Sequence, residues 1–139
     1  MNIIIIGGGQ IGEYLGLSLA AHKHNVKIIE NRQHVIEALK RTALKDDIIC
    51  GDGSSPRILT EAGIRQVDVL AAVTGKDEVN LIVSTLAKYE FGVPKVIARI
   101  NNPKNKWLFT PAMGVDDSVN QAEVLSDIIL SEMGDKHKI

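Results

Sequence analysis

Three glycines near the start of the chain have the spacing of a phosphate-binding turn. Gly7, Gly9 and Gly12 fit the pattern G-x-G-x-x-G, directly after a run of isoleucines and at the opening of a helix-like segment. The first glycine permits a tight turn, the second lets the backbone approach a pyrophosphate, and the third lets the helix pack closely on its strand. Backbone N–H groups of Gln10 and Ile11 would then face an anion at the positive end of the helix dipole. The alternative is a turn that needs glycine only for its conformation.

An acidic residue stands where such folds place a ribose-binding group. Glu30 ends the second apolar run, about 20 residues after Gly9, where a carboxylate accepts hydrogen bonds from the adenosine ribose hydroxyls. It also repels a 2′-phosphate, so NAD, ATP or ADP is favoured over NADP, although Arg32 could accommodate a 2′-phosphate. A solvent-facing carboxylate is the alternative for Glu30, whereas for Arg32 a merely solvated side chain is the more common role.

Two further segments follow apolar runs and are expected at the same edge. In "GDGSS", Gly51–Ser55, Asp52 could accept a hydrogen bond from an adenine amino group, while a turn followed by a helix cap is the alternative. The segment "AVTGKDEVN" predicts that Thr74 faces the ligand crevice. Asp77 and Glu78 are expected only to complement the dipole of the helix that follows.

One basic residue lies within an otherwise apolar run. Arg99 is permanently charged in "VIARI", and its neighbours Ala98 and Ile100 should point to the opposite face of the strand. Such a charge requires an anion. Asp116, Asp117 or a carboxylate of another subunit could supply it, but a ligand phosphate is the interpretation we favour.

The order of elements would place these residues at one edge of a sheet. Apolar or β-branched runs predict strands at Asn2–Ile6, Val26–Glu30, Asp47–Cys50, Val67–Val73, Lys95–Ile100 and Ser118–Val119. Between them, helices are predicted at Gln10–His22, Arg32–Leu44, Pro56–Ala62, Asp77–Phe91, a weak stretch at 104–112, and Gln121–Met133. Nearly continuous apolar strands indicate a parallel sheet covered on both faces. The predicted fold is a Rossmann-type doubly wound α/β sheet of about six strands.

Composition narrows the class of protein. The 139 residues fit one domain, and 16 basic against 17 acidic residues give a net charge of -1, which argues against a nucleic-acid partner. A single cysteine, Cys50, cannot form an internal disulfide, and no signal-peptide pattern opens the chain. No apolar run approaches the roughly 20 residues that span a bilayer. These features predict a cytoplasmic protein that would act at a membrane only through a partner.

Several segments together resemble the KTN domain, also called the RCK N-terminal domain, of Trk-type and Ktr-type potassium transport regulators. They are "IIIIGGGQIG", "IIE", "GDGSSPRILTEAGI", "DVLAAVTGKDEVNLI" and "KVIARINNP". The resemblance implies a domain that binds NAD(H), ATP or ADP, assembles into homodimers or larger rings, and gates a potassium channel or transporter at the inner face of the membrane. The matching positions are Gly7, Gly8, Gly9, Gln10 and Ile11 in the phosphate loop, Glu30 for the ribose, Asp52 for the adenine, Val73 and Thr74 in the crevice wall, and Arg99 for ligand phosphates.

The resemblance covers about residues 1–133. It implies that 134–139 form a polar tail or a truncated link to a C-terminal domain that this chain lacks. It also implies no catalytic turnover, and the sequence offers neither a Tyr-x-x-x-Lys pair nor a histidine placed for hydride chemistry. An NAD-dependent oxidoreductase cofactor domain without its substrate domain is the alternative.

The last predicted helix carries more apolar surface than one sheet can cover. From Gln121 onward its apolar residues are Ala122, Val124, Leu125, Ile128, Ile129, Leu130 and Met133. A fully covered core helix is the alternative, but we favour burial of this surface between subunits.

Overall fold

A computed structural model of the protein describes residues 1–134. Six strands form one parallel sheet in the order β3-β2-β1-β4-β5-β6, which confirms the predicted doubly wound fold. The strands are β1 Asn2–Ile6, β2 Asn25–Glu30, β3 Ile48–Cys50, β4 Val69–Ala72, β5 Lys95–Ile100 and β6 Asp117–Asn120. The α-helices are α1 Gln10–Ala21, α2 Gln33–Leu39, α3 Pro56–Glu61, α4 Asp77–Thr85 and α5 Gln121–Glu132. Within the described residues, no helix is long and apolar enough to cross a membrane.

The isoleucine run of β1 explains how the sheet is covered on both faces. Ile3 and Ile5 pack in a cluster with residues of β2 and α2, whereas Ile4 and Ile6 pack in a second cluster with residues of α3 and α4. All four are almost fully buried. Because side chains alternate along a strand, a continuous run of apolar residues supplies both faces of a central strand at once.

Two predicted helices differ in extent or type from the observed elements. The helix predicted at 32–44 ends at Leu39, because the Thr42 hydroxyl donates to the Leu39 carbonyl at 2.7 Å and accepts from the Leu44 N–H at 3.1 Å. These side-chain bonds replace the helical ladder. The stretch at 104–112 forms two short 3-10 helices, Pro103–Leu108 and Pro111–Met113, each opened by a proline.

The remaining differences are at the ends of elements. The helix predicted at 77–91 is α-helical only to Thr85 and continues as a π-helical turn, Leu86–Glu90. The strand predicted at 67–73 is limited to Val69–Ala72. Of the predicted tail at 134–139, all but Gly134 lies outside the described residues.

The candidate nucleotide-binding cleft

A cleft of about 530 Å³ lies at the carboxyl edge of the sheet. It sits where the strand order reverses on either side of β1, the position at which open α/β sheets bind their ligands. Its size falls within the range of small-molecule and cofactor sites. The lining residues come from the ends of β1, β2, β3 and β4, the loops that follow them and the start of α4: Ile6, Gly7, Ile29, Glu30, Asn31, Arg32, Gly51, Asp52, Gly53, Thr74, Gly75, Lys76 and Val79.

The glycine turn between β1 and α1 forms one wall. Gly7 has a φ of 105°, a left-handed conformation that favours glycine. A Cβ on Gly12 would lie 1.8 Å from the Gly7 carbonyl oxygen, so the helix can approach its strand only with glycine there. Gly9 is the N-cap of α1 and provides no side-chain cap, which leaves the first N–H groups of the helix, at Gln10 and Ile11, available to an anion.

Glu30 is buried at the end of β2 beside this turn. Its Oε1 accepts from the Gly8 N–H at 2.9 Å, and its Oε2 accepts from the backbone N–H groups of Asn31 at 2.9 Å and Arg32 at 2.8 Å. Glu30 is 4% exposed, so the solvent-facing alternative is wrong. Gly8 therefore contributes to the site by holding Glu30 rather than by facing the cleft.

Arg32 is also part of the site, because its half-exposed side chain is bound to Glu30 and not merely solvated. Its Nε donates to Glu30 Oε2 at 3.0 Å and its Nη2 donates to Oε1 at 2.9 Å, a two-pronged ion pair. Burial alone would raise the pKa of Glu30, but the hydrogen bonds from the Arg32 side chain and from backbone N–H groups, together with the Arg32 charge, lower it from 4.5 to about 2. Glu30 is therefore a carboxylate at neutral pH.

Asp52 lines the cleft just after the end of β3, the strand next to β2. Its Oδ1 accepts from the backbone N–H of Ser54 at 2.9 Å and from the Ser54 hydroxyl at 2.7 Å, and these bonds lower the pKa of Asp52. Ser55 caps α3 by accepting from the Ile58 N–H at 3.4 Å. The segment thus forms the turn and cap, and it also places Asp52 in the cleft.

The end of β4 forms the far wall of the cleft, and Thr74 lies there as predicted from the sequence. Asn80, fully buried on α4, accepts from the Thr74 N–H at 3.0 Å and from the Thr74 hydroxyl at 2.6 Å. Its Nδ2 donates to the carbonyl oxygens of Thr74 at 3.0 Å and Arg99 at 2.9 Å. Val73 packs in the cluster of Ile3 and Ile5 rather than lining the cleft.

Asp77 does more than complement the dipole of α4, so that expectation is wrong. The carboxylate is nearly buried and accepts from the backbone N–H groups of Asn101 at 2.6 Å and Asn102 at 2.9 Å, and from Asn105 Nδ2 at 2.8 Å. Burial would raise the pKa of Asp77, but these hydrogen bonds lower it. The sequence around Asp77 carries no signal for these contacts, because their donors lie more than 20 residues further along the chain.

Arg99 opens onto a different cavity from the other predicted residues. Its Nη2 donates to Gln121 Oε1 at 3.2 Å, and its buried Nε has no partner within the described residues. Arg99 lines a space of about 300 Å³ at the start of α5, next to Leu125. The alternatives of an ion pair with Asp116 or Asp117 are wrong, because these carboxylates pair instead with Lys88 at 2.7 Å and Lys95 at 2.5 Å.

Most of the sequence matches the model of one protein family. The family model described as the TrkA-N domain matches residues 3–121. This chain belongs to the TrkA-N domain family. The match confirms the resemblance to the KTN or RCK N-terminal domain, and it covers every cleft residue named above.

Three proteins illustrate the relatives of this TrkA-N domain. The Trk system potassium uptake protein TrkA of Mycobacterium tuberculosis is 34% identical over 129 residues, and the match covers 93% of this chain but 58% of that protein. The TrkA-N domain of the inner membrane protein ybaL from Escherichia coli has the same fold, with a TM-score of 0.82 at 16% identity over 95% of this chain and 96% of that one.

The third is GsuK, solved with two nucleotides. The structure bound to ADP gives a TM-score of 0.75 at 24% identity and covers 95% of this chain and 34% of that chain. The GsuK channel bound to NAD gives a TM-score of 0.73 at 21% identity and covers 96% of this chain and 24% of that chain. At these identities the likeness shows the shared fold.

Proposed function

We propose that this TrkA-N domain binds an adenine nucleotide in the cleft and regulates a potassium transport protein through its subunit arrangement. NAD(H) is the expected ligand, with ATP and ADP as alternatives. One observation carries the proposal: the buried Glu30 carboxylate lies beside an uncapped helix N-terminus at the point where the strand order reverses. A hydroxyl-binding anion next to an anion-binding turn suits the adenosine and phosphate parts of one ligand.

Each wall of the cleft has a chemical role in this proposal. The turn at Gly7 and Gly9, with the N–H groups of Gln10 and Ile11, would hold the pyrophosphate. Glu30 would accept from the ribose, and Asp52 is placed to accept from the adenine amino group. These contacts involve the part that NAD, ATP and ADP share, so they would set affinity without distinguishing the three ligands.

Assembly into a homodimer or a larger ring is the second part of the proposal. All of α5 lies at the surface, and its apolar residues Val124, Leu125, Ile128 and Ile129 are 43–57% exposed. A helix of 12 residues is marginal in water without a packed apolar face. We place a second copy of this chain on that face, because an isologous contact would bury the same residues on both subunits.

Hydrogen bonds supply a connection between the cleft and this helix. Asn80 binds the backbone of both Thr74, at the cleft, and Arg99, at the end of β5. Arg99 in turn donates to Gln121, the first residue of α5. A γ-phosphate or nicotinamide that shifts the Thr74 edge would therefore also shift the first residue of α5, and Arg99 would pass that shift on from the cleft to the helix.

Two relatives support the choice of a membrane partner. The Mycobacterium tuberculosis protein is a Trk system potassium uptake protein, and the GsuK relative is a channel bound to NAD. This chain spans 58% of the length of the former. By analogy we propose that residues 1–133 form the nucleotide-binding domain, that its partner is a potassium channel or transporter subunit at the cytoplasmic face, and that its role is regulatory rather than enzymatic.

Calorimetric titration of the full chain with NADH, ADP and ATP tests the proposal. We expect saturable binding of all three, weakened at least tenfold by Glu30→Ala, because a charge-assisted hydrogen bond contributes about 1.5–3 kcal/mol. Glu37→Ala, on the exposed surface of α2, is the matched control and should bind as the wild type does. Absence of binding by any adenine nucleotide would refute the proposal, and turnover of NADH with a carbonyl substrate would favour the oxidoreductase instead.

A further inference from the structure

The acceptor sites of Glu30 are already filled in the ligand-free domain. Its two oxygens receive five hydrogen bonds, from Gly8, from Asn31, and from the backbone N, Nε and Nη2 of Arg32. A carboxylate offers about four acceptor sites. A ribose hydroxyl therefore has no place on Glu30 while the Arg32 side chain stays where it is.

Removal of the Arg32 side chain would free one particular oxygen. Without Nε and Nη2, Oε2 keeps the two backbone N–H groups of Asn31 and Arg32, while Oε1 keeps only Gly8. The free acceptor is then on Oε1, the oxygen now paired with Nη2 at 2.9 Å. The guanidinium and a ribose hydroxyl thus compete for one atom.

The burial of the two partners shows which of them can move. The Glu30 side chain is 3% exposed and is held by three backbone donors, whereas the Arg32 side chain is 49% exposed. The backbone of Arg32 is fixed as the N-cap of α2, so rotation of its side chain alone would release Glu30. Moving the arginine is the lower-energy change.

A displaced Arg32 side chain would remain beside the phosphate-binding turn. The position of a Cβ on Gly9 lies 3.5 Å from Arg32 Nη2, so the guanidinium already lies between Glu30 and the glycine turn. Arginine forms two-pronged contacts with phosphate as readily as with carboxylate. A ligand phosphate on the ribose would replace the carboxylate as the partner of Arg32.

We propose that Arg32 is the specificity-determining residue of the ribose subsite, which it closes on Glu30 in the free domain and opens by pairing with a 2′-phosphate. The inference rests on the proposed function of the cleft. With Arg32 present, the charge of Glu30 is compensated and NADP is tolerated. Without Arg32, the negative charge of Glu30 has no ion-pair partner. Glu30 then accepts hydrogen bonds from the ribose hydroxyls of NAD and repels the 2′-phosphate of NADP.

Titration of wild type and Arg32→Ala with NAD and NADP tests the proposal. Wild type should bind the two ligands within about tenfold of each other, and Arg32→Ala should raise the preference for NAD over NADP by at least about tenfold, the effect of one charge-assisted contact. NAD itself should bind Arg32→Ala no more weakly than wild type. Arg32→Gln, neutral and closer in size, should shift the preference in the same direction.

The controls separate this inference from the proposed function. Arg57→Ala removes an exposed arginine of α3 that pairs with Glu61, and it should leave the preference unchanged. An unchanged preference in both Arg32 variants, or an equal loss of both ligands, would overturn the role of Arg32 while the cleft remained a nucleotide site. If wild type and every variant bind neither ligand, the proposed function fails and the inference fails with it.

Discussion

Acid should remove a large part of the stability of this domain through one carboxylate, Glu30. The pKa of Glu30 is lowered from 4.5 to about 2 in the folded chain. A depressed pKa stabilises the folded state above the unfolded value, and this stabilisation is lost as pH falls through the folded value. The difference of about 2.5 pH units corresponds to about 3 kcal/mol at pH 7, which falls to about 1.4 kcal/mol at pH 3 and to a few tenths at pH 2.

Glu30→Gln isolates this contribution because the amide does not ionise. Urea unfolding of wild type and variant, followed by circular dichroism at pH 7, 5, 4 and 3, gives the difference in unfolding free energy at each pH. We expect the variant to be the less stable at pH 7 and the difference to shrink by about 2 kcal/mol between pH 7 and pH 3. Other acid-sensitive carboxylates, such as Asp77 and Asp116, are present in both proteins and cancel.

The control is Glu37→Gln, since Glu37 is half exposed on α2 and pairs only at the surface. Its effect should stay within about 0.5 kcal/mol at every pH. A difference for Glu30→Gln that stays constant from pH 7 to pH 3 would refute the reasoning, because it would mean that the side chain matters by shape and not by charge.

Three further predictions concern packing, assembly and sensing. Gly12→Ala should destabilise the domain by about 3 kcal/mol, since the Cβ would lie 1.8 Å from a backbone oxygen, whereas Gly75→Ala, with nothing within 4 Å, should be tolerated in thermal unfolding. Ile128→Asp should shift the assembly toward monomer in sedimentation, whereas Ser126→Asp, the same charge on the same helix, should do so less. Arg99→Ala should keep affinity for ADP yet abolish any difference between ATP and ADP in small-angle scattering; an unchanged response would place the sensing group elsewhere.

The fold could be predicted from the sequence because its signals are local. The isoleucines of β1 alternate between two cores, and Gly12 must be glycine because of a contact only five residues away. The cleft residues Gly7, Glu30 and Asp52 follow from the same logic, since each lies at or just after the end of a strand of one parallel sheet. Predicting parallel strands was enough to bring these residues to the same edge of the sheet.

The polar contacts that the sequence did not predict depend on the folded structure around each side chain. Asp77 binds Asn101 and Asn102, and no pattern around Asp77 announces those contacts. Arg32 was expected to be solvated because an exposed arginine beside a helix usually is, but here the buried carboxylate two residues earlier fixes its guanidinium. The three-dimensional arrangement of the chain decides such polar contacts. The periodicity of apolar residues predicts helices and strands, but it does not predict which polar side chains meet.

The Glu30 side and the Thr74 side of the cleft differ in which other parts of the structure a bound ligand would affect. Hydrogen bonds to Glu30 come from the segment at Asn31 and Arg32 and from the turn at Gly8, so contact there affects only groups within the ribose subsite. Contact at Thr74 is different, because Asn80 satisfies Thr74 and Arg99 together in the core and cannot leave one without disturbing the other. A ligand shifts a conformational equilibrium only through contacts that differ between its two states. We therefore expect the adenosine half of a nucleotide to set its affinity. The other half, the γ-phosphate or the nicotinamide, should set the arrangement of the subunits.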